Sequence, residues 1–264
     1  MNSRRFHCYC VGAAKTGTTS IAKAFAQQYK SAHEPDLERV FRIIRKSSLE
    51  ENLINSMLKT RDEELQLEME SSHPIIFLIP NLVKLFSEAK FIITIREPRD
   101  WLSSRLDFHY KKRFIQKERI SYPRSLLRKT KEKATHFFGG PIGSWKDYND
   151  RLESNHLMDY SKFDVFLRQF NVSPIDFYLA EYASHYRTLF KSIPSQRRLI
   201  VDLDSLNDKY SDICNFLNIP CTIAPTIANV NSGDSRPLLI NDIAPSYINE
   251  RIATHCSWYY DLDK

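Results

Sequence analysis

Residues 11–20, "VGAAKTGTTS", decide how this chain is read. They follow a short β-rich run, "FHCYCVG" (6–12), and precede "TSIAKAFAQQY", in which Ile21, Ala24, Phe25 and Ala26 recur with helical spacing. The order is strand, loop, helix. It aims the free N–H groups of the helix's first turn, and the positive end of its dipole, at an anion resting in the loop. In the common phosphate-cradling pattern, Gly-x-x-x-x-Gly-Lys-Ser/Thr, the lysine follows the second glycine. Here Gly12 and Gly17 keep that spacing, but Thr18 and Thr19 follow Gly17, and the loop's lysine, Lys15, precedes it. The loop therefore predicts a phosphorylated ligand held by a cation in an unusual place.

Outward from the loop, strand and helix signals alternate. In "SAHEPD", Pro35 halts regular structure and Asp36 is placed to cap a helix through "LERVFRIIRK", which leaves His33 and Glu34 on a short connection near the loop's end of the sheet. A charged helical stretch over 49–65 leads to "LQLEMESSHP", then a helix over "NLVKLFSEA" and the apolar strand "KFIITIRE" (90–97). Pro98 and Asp100 suit the start of the helix "RDWLSSRLDFHY". Beyond Pro174 come a helix over "IDFYLAEYASHYRTLFKSI", a strand in "RRLIVDLD", the amphipathic "SLNDKYSDICNFLNIP", a polar loop "NVNSGDSRP" and a short aromatic helix. Such alternation implies βαβ units and hence the α/β class: a three-layer α/β/α sandwich with a central parallel sheet, P-loop NTPase-like. Ligands bind such sheets at the carboxyl ends of the strands, where Gly12 and Arg96 both fall.

Composition narrows the class. The 264 residues suit one large domain, and 42% hydrophobic content with a mean hydropathy of -0.44 marks a globular chain rather than a disordered one. The net charge of +6 is compatible with an anionic ligand without requiring nucleic acid, and none is expected as a partner. No run approaches the roughly 18 apolar residues of a membrane span, and no signal-like stretch precedes the loop, which points to a cytoplasmic protein without a transmembrane segment. Five cysteines fit reduced thiols; Cys8 and Cys10 share one face of the first strand and read as buried packing rather than metal ligands. From Lys111 to Lys133 ten basic residues face only Glu118 and Glu132, and with the following "HFFGGPIGSWKDYND" this reads as an insertion, about 107–165, that covers the acceptor side of a single 1–264 domain. Trp101, Tyr182 and Tyr186 read as core packing.

A second segment matches the first. In "IREPRDWLSS", Arg96 leaves a strand and Ser104 lies eight residues on, within the next helix, whose side chains lean back toward its N-terminus. An arginine fork with a hydroxyl suits a second phosphate.

With "AKTGTTS" and "IREPRDWLSS" in this order, the chain resembles the sulfotransferases that use 3′-phosphoadenosine 5′-phosphosulfate (PAPS), and "LIVDLDSL" and "ICNFLNIP" extend the likeness over most of the chain outside the insertion. The resemblance implies that Lys15, Thr16, Gly17, Thr18 and Thr19 hold the 5′ end and that Arg96 and Ser104 hold the 3′-phosphate. It gives Lys15 the further role of stabilising the departing 5′-phosphate, with adenosine 3′,5′-bisphosphate as product and no metal. Arg236, in "NSGDSRP", stands where the family's C-terminal glycine-rich segment touches the 3′-phosphate. For the base that deprotonates the acceptor, Glu34 matches the position used by members acting on sugars and tyrosine, while His73, in "ESSHP", lies near the catalytic histidine of the cytosolic members. The family's second leaving-group lysine is replaced by Ser71, so Ser71, Ser72 or a lysine from elsewhere is left to complete the clamp. The expected acceptor is a carbohydrate or other small polar alcohol. Two rival readings are a metal-dependent P-loop kinase and a non-catalytic nucleotide- and polyanion-binding module.

Overall fold

The structure, a computed structural model, describes residues 4–46, 50–119, 159–221 and 239–262. These fall into two compact units, one within Met1–Arg96 and Ser184–Gly233, the other within Glu97–Ala183 and Asp234–Lys264.

The first unit is built on five parallel strands: β1 (Cys8–Cys10), β2 (Ser31–His33), β3 (Met69–Ser71), β4 (Lys90–Ile95) and β5 (Arg198–Asp202), in the order β2-β3-β1-β4-β5. All three residues of β1 and five of the six in β4 are buried, as strands covered on both faces must be. Alternation sorts their side chains. Cys8 and Cys10 point to a cluster with Ile21 and Phe25 of α1 (Thr18–Phe25) and Tyr210, Ile213 and Leu217 of α7 (Tyr210–Leu217). Tyr9 takes the other face, stacking on Phe91 at 5.6 Å and reaching Phe86 just past α4 (Ile79–Leu85). On that face α3 (Glu51–Leu65) supplies Arg61, which grips Glu70 of β3 with bonds of 2.6 and 2.8 Å; both side chains are 5% exposed. A buried carboxylate of this kind persists only because a guanidinium neutralises it. The expected layered α/β architecture with its parallel sheet is present, and both strand cysteines are buried free thiols.

Two local expectations are corrected. His33 ends a short edge strand, β2, rather than lying in a connection. Asp36 occupies the N-cap position of α2 (Leu37–Arg45) but makes no capping bond; its backbone is left-handed (φ 51°), and its carboxylate pairs instead with Arg39 at 2.9 Å.

In the second unit, α5 (Pro98–Arg119) carries Trp101, 1% exposed, with its ring 4.2 Å from that of Tyr182 in α6 (Ile175–Ser192). Asp164 is fully buried and accepts the Ile175 N–H at 3.0 Å, so a carboxylate caps the start of α6 where Pro174 predicts one. Asp176 binds both Arg251 (2.6 Å) and His255 (2.8 Å) of α8 (Pro245–Cys256). Most of the basic insertion, residues 120–158, lies outside the described residues, and so does its covering role.

Candidate active site

The site forms where the strands of the first unit end. After β1 the chain turns through Lys15 (φ 73°) and Gly17 (φ 93°), both left-handed. At Gly17 a Cβ would meet only the movable end of the Leu203 side chain, at 2.5 Å, so it is the left-handed backbone that calls for glycine there. At Lys15 the same region costs a side-chain-bearing residue about 1–3 kcal/mol, a strain that marks functional loops. The turn delivers α1 with Gly17 at its N-cap, no side-chain cap and no acidic residue in the first turn. Its leading amides and dipole are therefore available to an anion, with Lys15 beside them. This donor set fits a phosphate or phosphosulfate group.

The loop's hydroxyls divide their work. Thr16 is fully buried and donates to the Ala13 carbonyl at 2.7 Å, so its side chain braces the loop from inside rather than facing the site. Thr19, half-buried, and Thr18, buried, both reach His33, whose Nε2 lies 3.1 Å from the Thr19 hydroxyl and 3.4 Å from that of Thr18. Burial holds the His33 imidazole below its ordinary value, against the pull of Glu34. Ser71 is fully buried and donates to the Thr18 carbonyl at 2.7 Å, pinning the first turn of α1 to β3. Ser72 is also fully buried; its N–H bonds the Cys10 carbonyl, and its hydroxyl has no partner among the described residues.

Glu34 and His73, two alternatives on the sequence, are in direct contact. His73 Nδ1 lies 2.5 Å from Glu34 Oε1. The β2–β3 register, His33 opposite Ser71, places both just past the strand ends, and the Glu34 N–H continues the ladder to the Ser71 carbonyl. Glu34 adopts φ 49°, a conformation few glutamates accept, and so turns its carboxylate onto the imidazole. Burial would raise the Glu34 carboxyl, but the His73 hydrogen bond and the charges of His73 and His33 outweigh it and hold the carboxyl below its ordinary value.

Arg96 directly follows β4, beside β1 in the sheet and at the same carboxyl edge as the loop. Ser104 lies partly buried on α5 in the second unit, and Arg236 falls outside the described residues. Three contributors escaped the sequence reading. Tyr186, taken for packing, is fully buried, but its hydroxyl donates to the Thr94 carbonyl at 2.7 Å and receives the Ala13 N–H at 3.4 Å. His185 bonds the Val11 carbonyl at 2.9 Å through Nε2, which must carry the proton, and burial lowers its pKa to about 4. Thr94 shares a 2.9 Å hydroxyl contact with Thr16. A lone hydroxyl in the otherwise apolar run "FIITI" was the available signal.

Among the described residues no three His, Cys, Asp or Glu side chains gather as a metal cluster, and no helix is long and apolar enough to cross a membrane.

Comparison with known proteins matches residues 8–235 to a family model described as a sulfotransferase domain. Among solved structures, the chain is similar to a sulfotransferase from Alicyclobacillus acidocaldarius, at 15% identity and TM-score 0.48, covering 97% of this chain and 96% of that one. It is also similar to the sulfotransferase domain of the curacin biosynthetic pathway, at 12% identity and TM-score 0.41, with 88% and 80% covered. A third similar structure is the sulfotransferase domain of the Synechococcus PCC 7002 olefin synthase, at 14% identity and TM-score 0.42, with 92% and 82% covered. No curated protein sequence matches.

Proposed function

This chain belongs to the sulfotransferase family and is a sulfotransferase enzyme, and we propose that it moves the sulfuryl group of PAPS to a hydroxyl of a carbohydrate or other small polar acceptor, in line and without a metal. When bound, PAPS supplies an activated sulfuryl group on a stable leaving group, adenosine 3′,5′-bisphosphate. The acceptor oxygen bonds to sulfur, the bond from sulfur to the 5′-phosphate oxygen breaks, and the hydroxyl proton passes to the protein.

The uncapped start of α1 beside Lys15 supports the assignment of the 5′ end to this loop. Its amides and the ammonium stabilise charge on the oxygen that departs. A sulfuryl group carries less charge than a phosphoryl group, so fixed donors serve where phosphoryl transfer recruits Mg²⁺. Arg96, with Ser104 and Arg236, is assigned to the 3′-phosphate.

The observation that carries the chemistry is the bond between Glu34 and His73. A carboxylate on Nδ1 fixes the imidazole tautomer and leaves the lone pair on Nε2, so the pair acts as one base: Nε2 takes the acceptor proton and Glu34 stabilises the imidazolium. Calorimetric titration with adenosine 3′,5′-bisphosphate, beside adenosine 5′-phosphate and Mg-ATP, tests the reading. Binding that requires the 3′-phosphate and ignores Mg²⁺ is expected; preference for Mg-ATP would overturn it.

A further inference from the structure

The four hydrogen bonds around Ala13 close into a ring. Thr16 has one hydroxyl proton, and the Ala13 carbonyl, which can only accept, receives it. The 2.9 Å contact between the two threonine hydroxyls must therefore be donated by Thr94. The Ala13 N–H donates to the Tyr186 hydroxyl, and Tyr186 donates its own proton to the Thr94 carbonyl. The circuit runs Thr94 to Thr16 to Ala13 to Tyr186 and back to Thr94, every bond pointing the same way round. The two hydroxyls that both accept and donate, Thr16 and Tyr186, each link two bonds that strengthen one another in a dry interior, and the backbone of Ala13 and Thr94 joins the two pairs. All three side chains are fully buried, so no water competes. Gly12 lies against the ring: a Cβ there would be 1.9 Å from the Thr94 hydroxyl and 2.5 Å from both the Thr16 hydroxyl and the Thr94 carbonyl.

The ring joins two parts of the site. Ala13 and Thr16 belong to the loop assigned to the 5′ end, and Thr94 stands two residues before Arg96, assigned to the 3′-phosphate. We propose that this circuit, with Tyr186 and Thr94 as positioning residues, couples the two anion-binding segments, so that the loop and Arg96 are held in register for a nucleotide phosphorylated at both its 3′ and 5′ positions. Neither residue needs to touch the ligand. The inference rests on the PAPS reading and adds to it an origin for the preference for bisphosphate over monophosphate.

Coupling has a readout that mere stability lacks. The ratio of the dissociation constants for adenosine 5′-phosphate and adenosine 3′,5′-bisphosphate measures what the 3′-phosphate gains once the 5′ end is seated. Tyr186→Phe removes the bonds to the Ala13 N–H and the Thr94 carbonyl, and Thr94→Val removes a hydroxyl at nearly constant shape. Each is expected to lower that ratio by about fivefold to tenfold, in line with loss of one or two hydrogen bonds, while adenosine 5′-phosphate alone weakens much less. Thr94→Ser keeps the hydroxyl and should restore the ratio. A lowered melting temperature with an unchanged ratio in both Tyr186→Phe and Thr94→Val would overturn the coupling role and leave the cofactor reading intact. A wild-type protein indifferent to the 3′-phosphate would overturn both.

Discussion

Gly12→Ala is the smallest change that tests how the loop is built. Nothing in its backbone forbids alanine, since Gly17, not Gly12, has the positive φ among the loop glycines. The obstacle is space: the added methyl would lie 1.9 Å from one hydroxyl and 2.5 Å from a second hydroxyl and a carbonyl, where real Cβ contacts begin near 3.0 Å. The carbonyl belongs to β4, so relief has to come from moving the loop or rotating Thr94 and Thr16. Overpacking of this kind costs about 1–3 kcal/mol. Rotating the threonines also breaks the Thr94–Thr16 and Thr16–Ala13 bonds, about 1 kcal/mol each. The sum is about 3–5 kcal/mol, a large share of the roughly 5–15 kcal/mol that holds a domain folded.

At about 2–4 °C per kcal/mol for a chain of this size, the melting temperature should fall by about 6–20 °C in a calorimetric scan. Affinity for adenosine 3′,5′-bisphosphate should fall with it, because the displaced segment carries Lys15. The double variant Gly12→Ala/Thr94→Ala removes the nearest hydroxyl but leaves the carbonyl, so it should recover part of the loss relative to Gly12→Ala and not all of it. A drop below about 2 °C with unchanged affinity would refute the packing argument, since it would mean less than about 1 kcal/mol was lost.

Three further outcomes are expected. His73→Asn should lower kcat by about a hundredfold to ten-thousandfold with affinity for the bisphosphate nearly kept; Glu34→Gln should also lower kcat with that affinity kept, and full activity in His73→Asn would remove the proton from Nε2. Burial brings the His7 imidazole to about 4, against the pull of Asp62, which Arg4 already occupies. Because the folded value is depressed, the unfolded chain takes up a proton below about pH 6.5 that the folded one refuses, so stability should fall from pH 6.5 toward 4 by about 3 kcal/mol from this group; denaturant midpoints for His7→Gln should show a shallower slope, and an equal slope would contradict the assignment. Arg61→Leu and Glu70→Leu should each destabilise by about 3–5 kcal/mol, while the double change costs less than either. Burial already pushes the Glu70 carboxyl up despite Arg61, and chemical denaturation of all three variants checks the non-additivity.

What the sequence made legible was local, and what it hid was register. The anion loop can be read from ten consecutive residues because the strand, the left-handed turn and the first helical amides are neighbours along the chain. Lys15, Glu34 and Arg96 could be assigned to one edge because every strand of a parallel sheet exits on the same side. The bond between Glu34 and His73 could not be foreseen, since 39 residues separate them and their meeting depends on His33 pairing with Ser71. A slip of one residue would turn each strand's side chains to the opposite face and part the two. The ring through Tyr186 is more remote still, spanning 92 residues to Thr94, and helical spacing with Tyr182 made that tyrosine look like packing alone.

Yet Glu34 carries a mark that register alone does not explain. A glutamate in a left-handed conformation is a local cost, on the order of 1–3 kcal/mol, that glycine or asparagine would reduce. Neither replacement would supply a carboxylate that reaches His73. The strain at Glu34, like that at Lys15, falls on a residue whose side chain the proposed chemistry requires, and the buried, well-bonded strands β1, β3 and β4 next to them supply the packing that can hold such strain in place.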